Sequence, residues 1–130
     1  MQQITFTINP TLAPSAITTL RVAVGWGRQD QDYPAALAGY WATVGGFAPT
    51  GELIAWSAII SDGVRHAVLL DVIVHPAWQR QGVGQALVKH AIEHIHASHI
   101  TIIHVDFLPK HAAFYTRCGF SVGLGGIIGG

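Results

Sequence analysis

The chain has 130 residues, of which 50% are hydrophobic, and its 7 basic and 7 acidic residues cancel to a formal net charge of zero. That much apolar sequence excludes a disordered chain and is enough for the core of one domain, so we expect a single domain over residues 1–130. The balanced charge argues against a nucleic-acid partner, and the absence of an apolar run of roughly 20 residues argues against a membrane span.

The first half of the chain predicts a strand, two short helices and a hairpin. Ile4–Ile8 alternates apolar and polar residues and predicts the strand, and Ser15 after Pro14 is placed to cap the first helix. The polar, turn-rich segment Gly27–Pro34 predicts a loop, and the stretch "AALAGY" predicts the second helix. "YWATVGGF" and "ELIAWSAII" predict two strands joined by the turn "APTG".

The second half predicts two more strands and two more helices. After a turn at Ser61–Gly63, the apolar run "VRHAVLLDVIV" predicts a strand buried on both faces. Gly82–Ser98 predicts a long helix with one apolar face, and Ile100–Phe107 predicts the next strand. "KHAAFYTRC" predicts a short helix that Gly119 ends, and "FSVGLGGIIGG" predicts a weak hairpin or a frayed tail. This order predicts one α/β domain with a mixed sheet.

A glycine turn, Gln79-Arg80-Gln81-Gly82-Val83-Gly84, joins the apolar strand to the long helix. The N-terminus of a helix carries unpaired N–H groups and partial positive charge, and a glycine there lets an anion reach the backbone. Such a turn suits a phosphate or pyrophosphate, although on its own it favours the plainer interpretation of tight helix–sheet packing. The Walker and dinucleotide patterns are both incomplete, because Gln85-Ala86 and Leu87 replace residues that they require.

With "VHP" before it, Gln79-x-x-Gly82-x-Gly84 resembles motif A of the GNAT acetyltransferases, and "AFYTRCGF" resembles the "FY…GF" segment of that family. The resemblance implies a GNAT-like fold, with a mixed, mostly antiparallel central sheet flanked by helices. It also implies an acetyl-CoA site, in which the pantetheine arm pairs with the apolar strand and the pyrophosphate meets the glycine turn. The predicted cofactor-binding residues are Val72, Val74, Gln79, Arg80, Gln81, Gly82, Val83, Gly84 and Gln85.

The activity that the resemblance implies is direct transfer of acetyl from acetyl-CoA to a primary amine, with no metal. The amine must lose a proton and the leaving thiolate must gain one. Tyr115 matches the family's tyrosine that donates this proton, and the alternative is a core aromatic beside Phe114. Asp71, an acid within an apolar strand, either receives the amine proton or is a structural partner of Arg65 or of a backbone turn. Three weaker candidates for the base are His75, His104 and Asp106.

The loop after the first helix is where this family commonly builds its acceptor pocket, and its aromatic and acidic residues suit a cationic amine. Each acid taken alone fits a solvated loop equally well. The predicted acceptor-binding residues are Trp26, Asp30, Asp32 and Tyr33. The expected partner is a small-molecule or peptide amine, and a homodimer through C-terminal strands is left open. The single cysteine, Cys118, and the absence of a signal peptide predict a cytoplasmic protein.

Two other functions stay open on the sequence. His90-Ala91-Ile92-Glu93-His94 matches the H-x-x-E-H pattern of zinc hydrolases, although border residues on a solvated helix explain it better. Leu108 stands where the GNAT family often has Asn, and few residues follow Phe120. These two departures leave open an acetyl-CoA-binding module without catalysis.

Overall fold

The elements follow the predicted order of strands and helices in the computed structural model, which describes residues 3–129. Single 3₁₀ turns, Pro76–Trp78 and Pro109–His111, precede the last two helices. The elements are β1 Thr5–Ile8, α1 Pro14–Ala23, α2 Tyr33–Gly39, β2 Ala42–Phe47, β3 Leu53–Ser61, β4 His66–Val74, α3 Val83–Ala97, β5 Ile102–Val105 and α4 Ala112–Arg117.

The five strands form one sheet in the order β1-β2-β3-β4-β5. The first four are antiparallel neighbours, and β5 is parallel to β4, which confirms the predicted mixed, mostly antiparallel sheet. β5 pairs with β4 only from His66 to Leu69. Beyond Leu69, no strand among residues 3–129 pairs with that edge of β4. The two parallel strands therefore part in the middle of the sheet and leave a backbone edge open.

β4 carries a β-bulge where it parts from β5. Ala58 pairs with Leu70 but Trp56 pairs with Ile73, so β4 has one residue more than β3 between these pairs. Asp71, within the bulge, has a φ of +52°, a left-handed conformation that is uncommon for an aspartate. The expectation that this strand is buried on both faces is wrong around the bulge, because the extra residue turns half-exposed side chains outward.

Helices cover both faces of the sheet. The predicted apolar face of α3 is confirmed, because Leu87, Val88, Ala91 and Ile95 are fully buried against β2, β3 and β4. α1 and α2 cover the opposite face, where their apolar residues pack around Trp56 in a second cluster. The sheet thus separates two cores, and each face of β4 belongs to a different one.

The expected cap of the first helix is wrong. α1 begins at Pro14, whose missing N–H costs nothing in a first turn, so Ser15 lies inside the helix and does not cap it. Ser15 instead accepts a hydrogen bond from the Thr18 hydroxyl through its backbone carbonyl. For the end of the chain the sequence left open a weak hairpin or a frayed tail. Residues 121–129 contain no strand or helix, so the hairpin does not form there. None of the helices within residues 3–129 has the length and apolarity to cross a bilayer.

The turn between β3 and β4 is held by Asp62. Its Oδ1 accepts hydrogen bonds from the N–H groups of Arg65, Val64 and His66 at 2.8, 2.8 and 3.1 Å. These bonds, that of Arg65 first, lower the pKa of Asp62 from its ordinary 3.8 to about 2. A lowered pKa means that the carboxylate stabilises the fold above pH 3.8 and that this contribution is lost as the pH falls towards 2.

We expect Asp62→Ala to lower the free energy of unfolding at pH 7. The same substitution should change this free energy little when the pH is close to the Asp62 pKa of about 2. The reason is that the protonated side chain no longer holds the three N–H groups as strongly. Urea unfolding at a series of pH values measures both quantities. Asp62→Asn keeps an acceptor oxygen without the charge and should lie between the two proteins. An effect that is independent of pH would contradict the charge-assisted turn.

Candidate functional site

The N-terminus of α3 presents unpaired backbone donors. Arg80 and Gly82 both have left-handed backbone, with φ values of +63° and +81°, and Gly82 is the residue that precedes the helix. The first bond within α3 runs from the Ala86 N–H to the Gly82 carbonyl, so the N–H groups of 83–85 have no acceptor in the helix. The first turn contains no acidic side chain. Together with the helix dipole, these donors make a site for an anion.

A cavity of about 530 Å³ opens beside this N-terminus, between β4 and α4. Seven of the nine predicted cofactor-binding residues line it: Val72, Val74, Gln79, Arg80, Gly82, Gly84 and Gln85. The remaining lining residues are His111, Phe114, Tyr115 and Arg117. Of these four, only Tyr115 was expected from the sequence at a reaction centre. Arg117 adds positive charge that the turn alone did not indicate.

The other two predicted cofactor-binding residues, Gln81 and Val83, point elsewhere. The Gln81 side chain donates to the Ala77 carbonyl at 3.3 Å, and the Val83 side chain is buried in the core. Neither residue is among those that line the cavity. For these two residues, binding of the cofactor through the backbone stays a prediction.

β4 directs free backbone groups towards this cavity. On its other edge, the His75 N–H bonds to the Ile54 carbonyl, and Ile73 pairs with Trp56. Backbone groups of successive strand residues point to alternate edges, so those of Val72 and Val74 point towards the edge that β5 leaves open. Gln79 Nε2 donates to the Val74 carbonyl at 2.9 Å, which ties the glycine turn to the strand. A carbonyl has two lone pairs, so Val74 can still accept from a ligand.

The two glycines of the turn have different structural roles. A Cβ on Gly84 would lie 3.3 Å from the Phe114 ring and 3.4 Å from the Val74 side chain. Gly84 therefore lets α3 approach α4 and β4 closely, which is the plainer of the two interpretations. Among residues 3–129, a Cβ on Gly82 would meet nothing within 4 Å, and its φ of +81° explains the glycine.

Tyr115 is packed in the core and also lines the cavity. Its side chain is only 7% exposed, and its ring stacks on Phe107 with centroids 4.7 Å apart and meets Phe114 edge-on. It also lines the cavity. Burial, with smaller contributions from the nearby Cys118 and Asp106, raises the pKa of Tyr115 to about 12. The hydroxyl is therefore protonated at neutral pH and can donate a hydrogen bond to a group in the cavity.

Asp71 lies on the opposite face of the sheet from Tyr115, with α1 and α2. Its Oδ2 accepts a hydrogen bond from the Tyr33 hydroxyl at 3.3 Å and lies 3.7 Å from Arg21 Nη1. The alternative of an ion pair with Arg65 is wrong, because the arginine beside Asp71 is Arg21, whereas Arg65 lies exposed at the β3–β4 turn. The bulge leaves the Asp71 side chain 33% exposed, so it is a partnered carboxylate at the surface of the fold.

Arg21 is the residue of this region that sequence reasoning missed. It is only 7% exposed, and its guanidinium donates from Nε to the Gly27 carbonyl at 2.7 Å and from Nη1 to the Tyr33 hydroxyl at 3.1 Å. It thus connects α1, the following loop and Asp71. One signal was available, because Arg21 comes four residues after Ile17 and so lies on the apolar face of α1.

The rings of the predicted acceptor residues Trp26 and Tyr33 both lie beside the guanidinium of Arg21. The guanidinium lies 5.1 Å from the Trp26 ring centroid and 5.7 Å from that of Tyr33. Burial raises the pKa of Tyr33, and the charge of Asp71 adds to this. The aromatic faces that were expected to receive a cationic amine are therefore partly occupied by the protein's own cation.

The two predicted acids of the loop lie outside this contact. Asp30 forms an exposed ion pair with Arg28, with 2.8 Å between its Oδ2 and Arg28 Nε, and this bond lowers the pKa of Asp30. Asp32 precedes α2 and is exposed, without a side-chain capping bond. The structure thus brings Trp26, Tyr33 and Asp71 together and leaves Asp30 and Asp32 at the rim.

The weaker candidates for the base do not reach the cavity. His75 Nδ1 accepts from the Ala77 N–H at 3.0 Å, and His104 Nε2 lies 3.0 Å from His66 Nδ1 on the exposed side of β5. Asp106 is exposed just after β5. Within residues 3–129, these three side chains are absent from the cavity lining.

The H-x-x-E-H segment has structural neighbours on α3. His90 stacks on Phe6 with centroids 4.7 Å apart, and His94 lies 5.3 Å from Trp41. Glu93 lies 4.0 Å from Lys89 on the exposed face. In the part of the chain that the structure describes, no three His, Cys, Asp or Glu residues are grouped to hold a metal ion. This arrangement gives the zinc alternative no support.

Comparisons with known sequences agree with the geometry. Residues 37–122 match the model of the Acetyltransferase (GNAT) domain. The GCN5-related N-acetyltransferase 1, chloroplastic, of Arabidopsis thaliana is 31% identical over 83 residues, which cover 64% of this chain and 42% of that protein. The chain therefore spans less than half the length of this curated relative.

Solved structures share the fold. A probable acetyltransferase from Staphylococcus aureus superposes with a TM-score of 0.84 at 18% identity, over 97% of this chain and 98% of that one. A GNAT family N-acetyltransferase from Escherichia coli, solved in complex with CoA, superposes with a TM-score of 0.78 at 14% identity, over 93% of this chain and 70% of that one. At these identities the likeness establishes the fold alone.

We expect Gly82→Asp to weaken the binding of CoA, and Gly82→Asn to weaken it much less. Both side chains tolerate a left-handed φ, and at this position they would extend into open space, so both variants should fold. The carboxylate repels an anion at the helix N-terminus, although it favours the helix itself. By calorimetry, the Kd for CoA should be at least about tenfold higher for Asp than for Asn, roughly 1.4 kcal/mol.

The difference between these two variants should shrink as salt is added, because the repulsion is electrostatic and exposed to solvent. Thermal melts show whether both variants remain folded. Equal affinities of the Asp and Asn variants for CoA would contradict an anion site at this helix N-terminus.

Proposed function

The chain belongs to the GNAT acetyltransferase family, and we propose that it transfers the acetyl group of acetyl-CoA directly to the primary amine of a small molecule or peptide. The observation that supports this most is the cavity beside α3. It brings together the unpaired N–H groups of the helix, the open backbone edge of β4 and the hydroxyl of Tyr115. A diphosphate, an extended chain of amides and a thioester would meet these three features in turn.

In the proposed complex, the diphosphate accepts hydrogen bonds from the backbone N–H groups of residues 82–85. The side chains of Arg80 and Arg117 line the same cavity and add positive charge at its wall. The amide groups of the pantetheine arm pair with the backbone of Val72 and Val74, as a strand added to the edge of β4 would. This arm would fill the edge that β5 leaves open beyond Leu69.

The proposed reaction needs no covalent intermediate on the protein. The amine nitrogen attacks the thioester carbon, the C–N bond forms, the C–S bond breaks, and CoA leaves as a thiolate. Tyr115, which is protonated at neutral pH because its pKa is raised to about 12, donates a hydrogen bond and a proton to the sulfur. The proton that the amine loses must go to a base on the acceptor side.

Asp71 is the group that we propose for that side. Tyr33 and Arg21 both use its Oδ2, which leaves Oδ1 available to attract an ammonium group and to take its proton through water. Its neighbour Val72 lines the cofactor cavity from the other face of the sheet. The bulge thus places the proposed acceptor carboxylate and a residue that lines the cofactor cavity next to each other in β4.

The location and the assembly of the protein stay predictions. A cytoplasmic location is favoured by the single cysteine, whereas the named Arabidopsis relative is chloroplastic. A homodimer is expected only by analogy with the family.

We expect Tyr115→Phe to lower kcat by about 10²- to 10⁴-fold, the usual contribution of a positioned general acid, and to leave the Kd for acetyl-CoA nearly unchanged. The variant keeps the ring contacts with Phe107 and Phe114 and loses only the hydroxyl. CoA release with the best amine of a broad panel measures kcat, and calorimetry measures the Kd. Thr116→Val is a matched control, because it removes an exposed hydroxyl from the same helix without touching the cavity.

A kcat of Tyr115→Phe within about twofold of the parent, roughly 0.4 kcal/mol, would return Tyr115 to a packing role. If the parent protein binds acetyl-CoA tightly and acetylates no amine of the panel, the alternative of a binding module without catalysis is supported instead.

A further inference from the structure

The side chains around Asp71 limit the kind of amine that the proposed acetylation can use. We infer that the acceptor is a primary amine whose remainder is apolar or aromatic and which carries no carboxylate or phosphate. The inference rests on the proposed function, because it concerns the acceptor side of the same reaction. It is carried by the charges and contacts of α1, of the loop after it and of the bulge in β4.

Both arginines of this region already lie beside aspartates. Arg21 is almost fully buried, and its guanidinium is bonded to the Gly27 carbonyl and the Tyr33 hydroxyl beside Asp71. Arg28 donates from Nε and Nη2 to Asp30 at 2.8 and 3.2 Å. A carboxylate or phosphate on the acceptor would have to displace one of these aspartates to find a cation.

The carboxylates outnumber the arginines. Asp71 and Asp30 balance the two arginines, and Asp32 is an exposed third acid that forms no ion pair within residues 3–129. Two arginines against three aspartates give this region a net charge of minus one. Such a field attracts an ammonium group, and it opposes a second anion on the same small molecule.

The surface beside these charges is aromatic and apolar. Trp26 packs one face on the Arg21 guanidinium and is still 39% exposed. Val22, in the last turn of α1, is also exposed. An apolar or aromatic arm of the acceptor can therefore cover this surface, while its ammonium group reaches Oδ1 of Asp71.

Three acceptors with the same aromatic arm test the inference on the full chain saturated with acetyl-CoA. These are phenethylamine, phenylalaninamide and phenylalanine, and the last two differ only in an amide against a carboxylate. After correction for the fraction of unprotonated amine, we expect kcat/KM for phenylalanine to be at least about tenfold below that of the other two, because like charges oppose its binding.

A variant that frees one arginine should reverse part of this preference. Asp30→Asn leaves Arg28 without its carboxylate, so we expect the ratio of kcat/KM for phenylalaninamide over phenylalanine to fall at least about threefold. Glu93→Gln is the matched control, because it removes one negative charge from the exposed Lys89 pair on the other face of the sheet. An equal fall of the ratio in both variants would mean that overall charge governs the preference and would overturn the inference.

The outcomes separate this inference from the proposed function. If the amines are acetylated and phenylalanine is used as well as its amide, the inference fails and the acetyltransferase activity stands. If CoA binds and no amine is acetylated, the proposed function fails, and calorimetry with the CoA complex still compares the binding of the three compounds. Weaker binding of phenylalanine than of its amide would support the charge argument, whereas equal binding, or no binding of any of the three, would overturn it.

Discussion

The parting of β4 from β5 is the constraint on which the rest of the site depends. Backbone N–H and C=O groups need partners, and a strand edge that is left open inside a fold exposes a row of them. Here the open edge begins after Leu69, and the N-terminus of α3 brings further unpaired N–H groups to the same place. Gln79 supplies one internal partner by donating to the Val74 carbonyl. The remaining groups define a site that an extended ligand with an anionic end can complete.

The bulge at Asp71 links the two faces of the sheet at this point. Without an extra residue, regular alternation would place the side chain of Asp71 on the same face as that of Leu69, in the α3 core. With it, Val72 and Val74 return to the cavity face while Asp71 contacts Tyr33 and Arg21 on the other. The left-handed φ of +52° at Asp71 is the conformational cost of this arrangement. One strand therefore serves the proposed cofactor on one side and the proposed acceptor on the other.

The sequence predicted those parts of the site that depend on neighbours along the chain. The turn from Gln79 to Gly84 can be predicted from the sequence, because consecutive residues form both the turn and the helix N-terminus that follows it. Arg21 was missed, since its partners are a loop carbonyl and two side chains brought near by the fold of the sheet. The same limit explains why Arg65 was the only arginine considered as a partner of Asp71, because Arg65 is close in sequence and the observed partner, Arg21, lies on another element. The Ser15 cap failed for a different reason: the helix begins at the proline before it, so the residue at the capping position is Ala13.

A chain with no net charge is compatible with a polyanionic co-substrate because the two kinds of binding use different parts of the electrostatic field. Nucleic acid is held by many phosphate contacts over a wide surface, which requires an excess of basic residues. A single diphosphate needs only a few donors that are fixed in place, and oriented N–H groups at a helix terminus supply them without any change in net charge. Arg80 and Arg117 at the cavity wall reinforce that field locally. On the opposite face of the sheet the local charge is negative, because two arginines stand against Asp30, Asp32 and Asp71. The proposed cofactor and the proposed amine would therefore approach β4 from faces of opposite charge. Each face attracts the molecule of opposite charge and repels the other one.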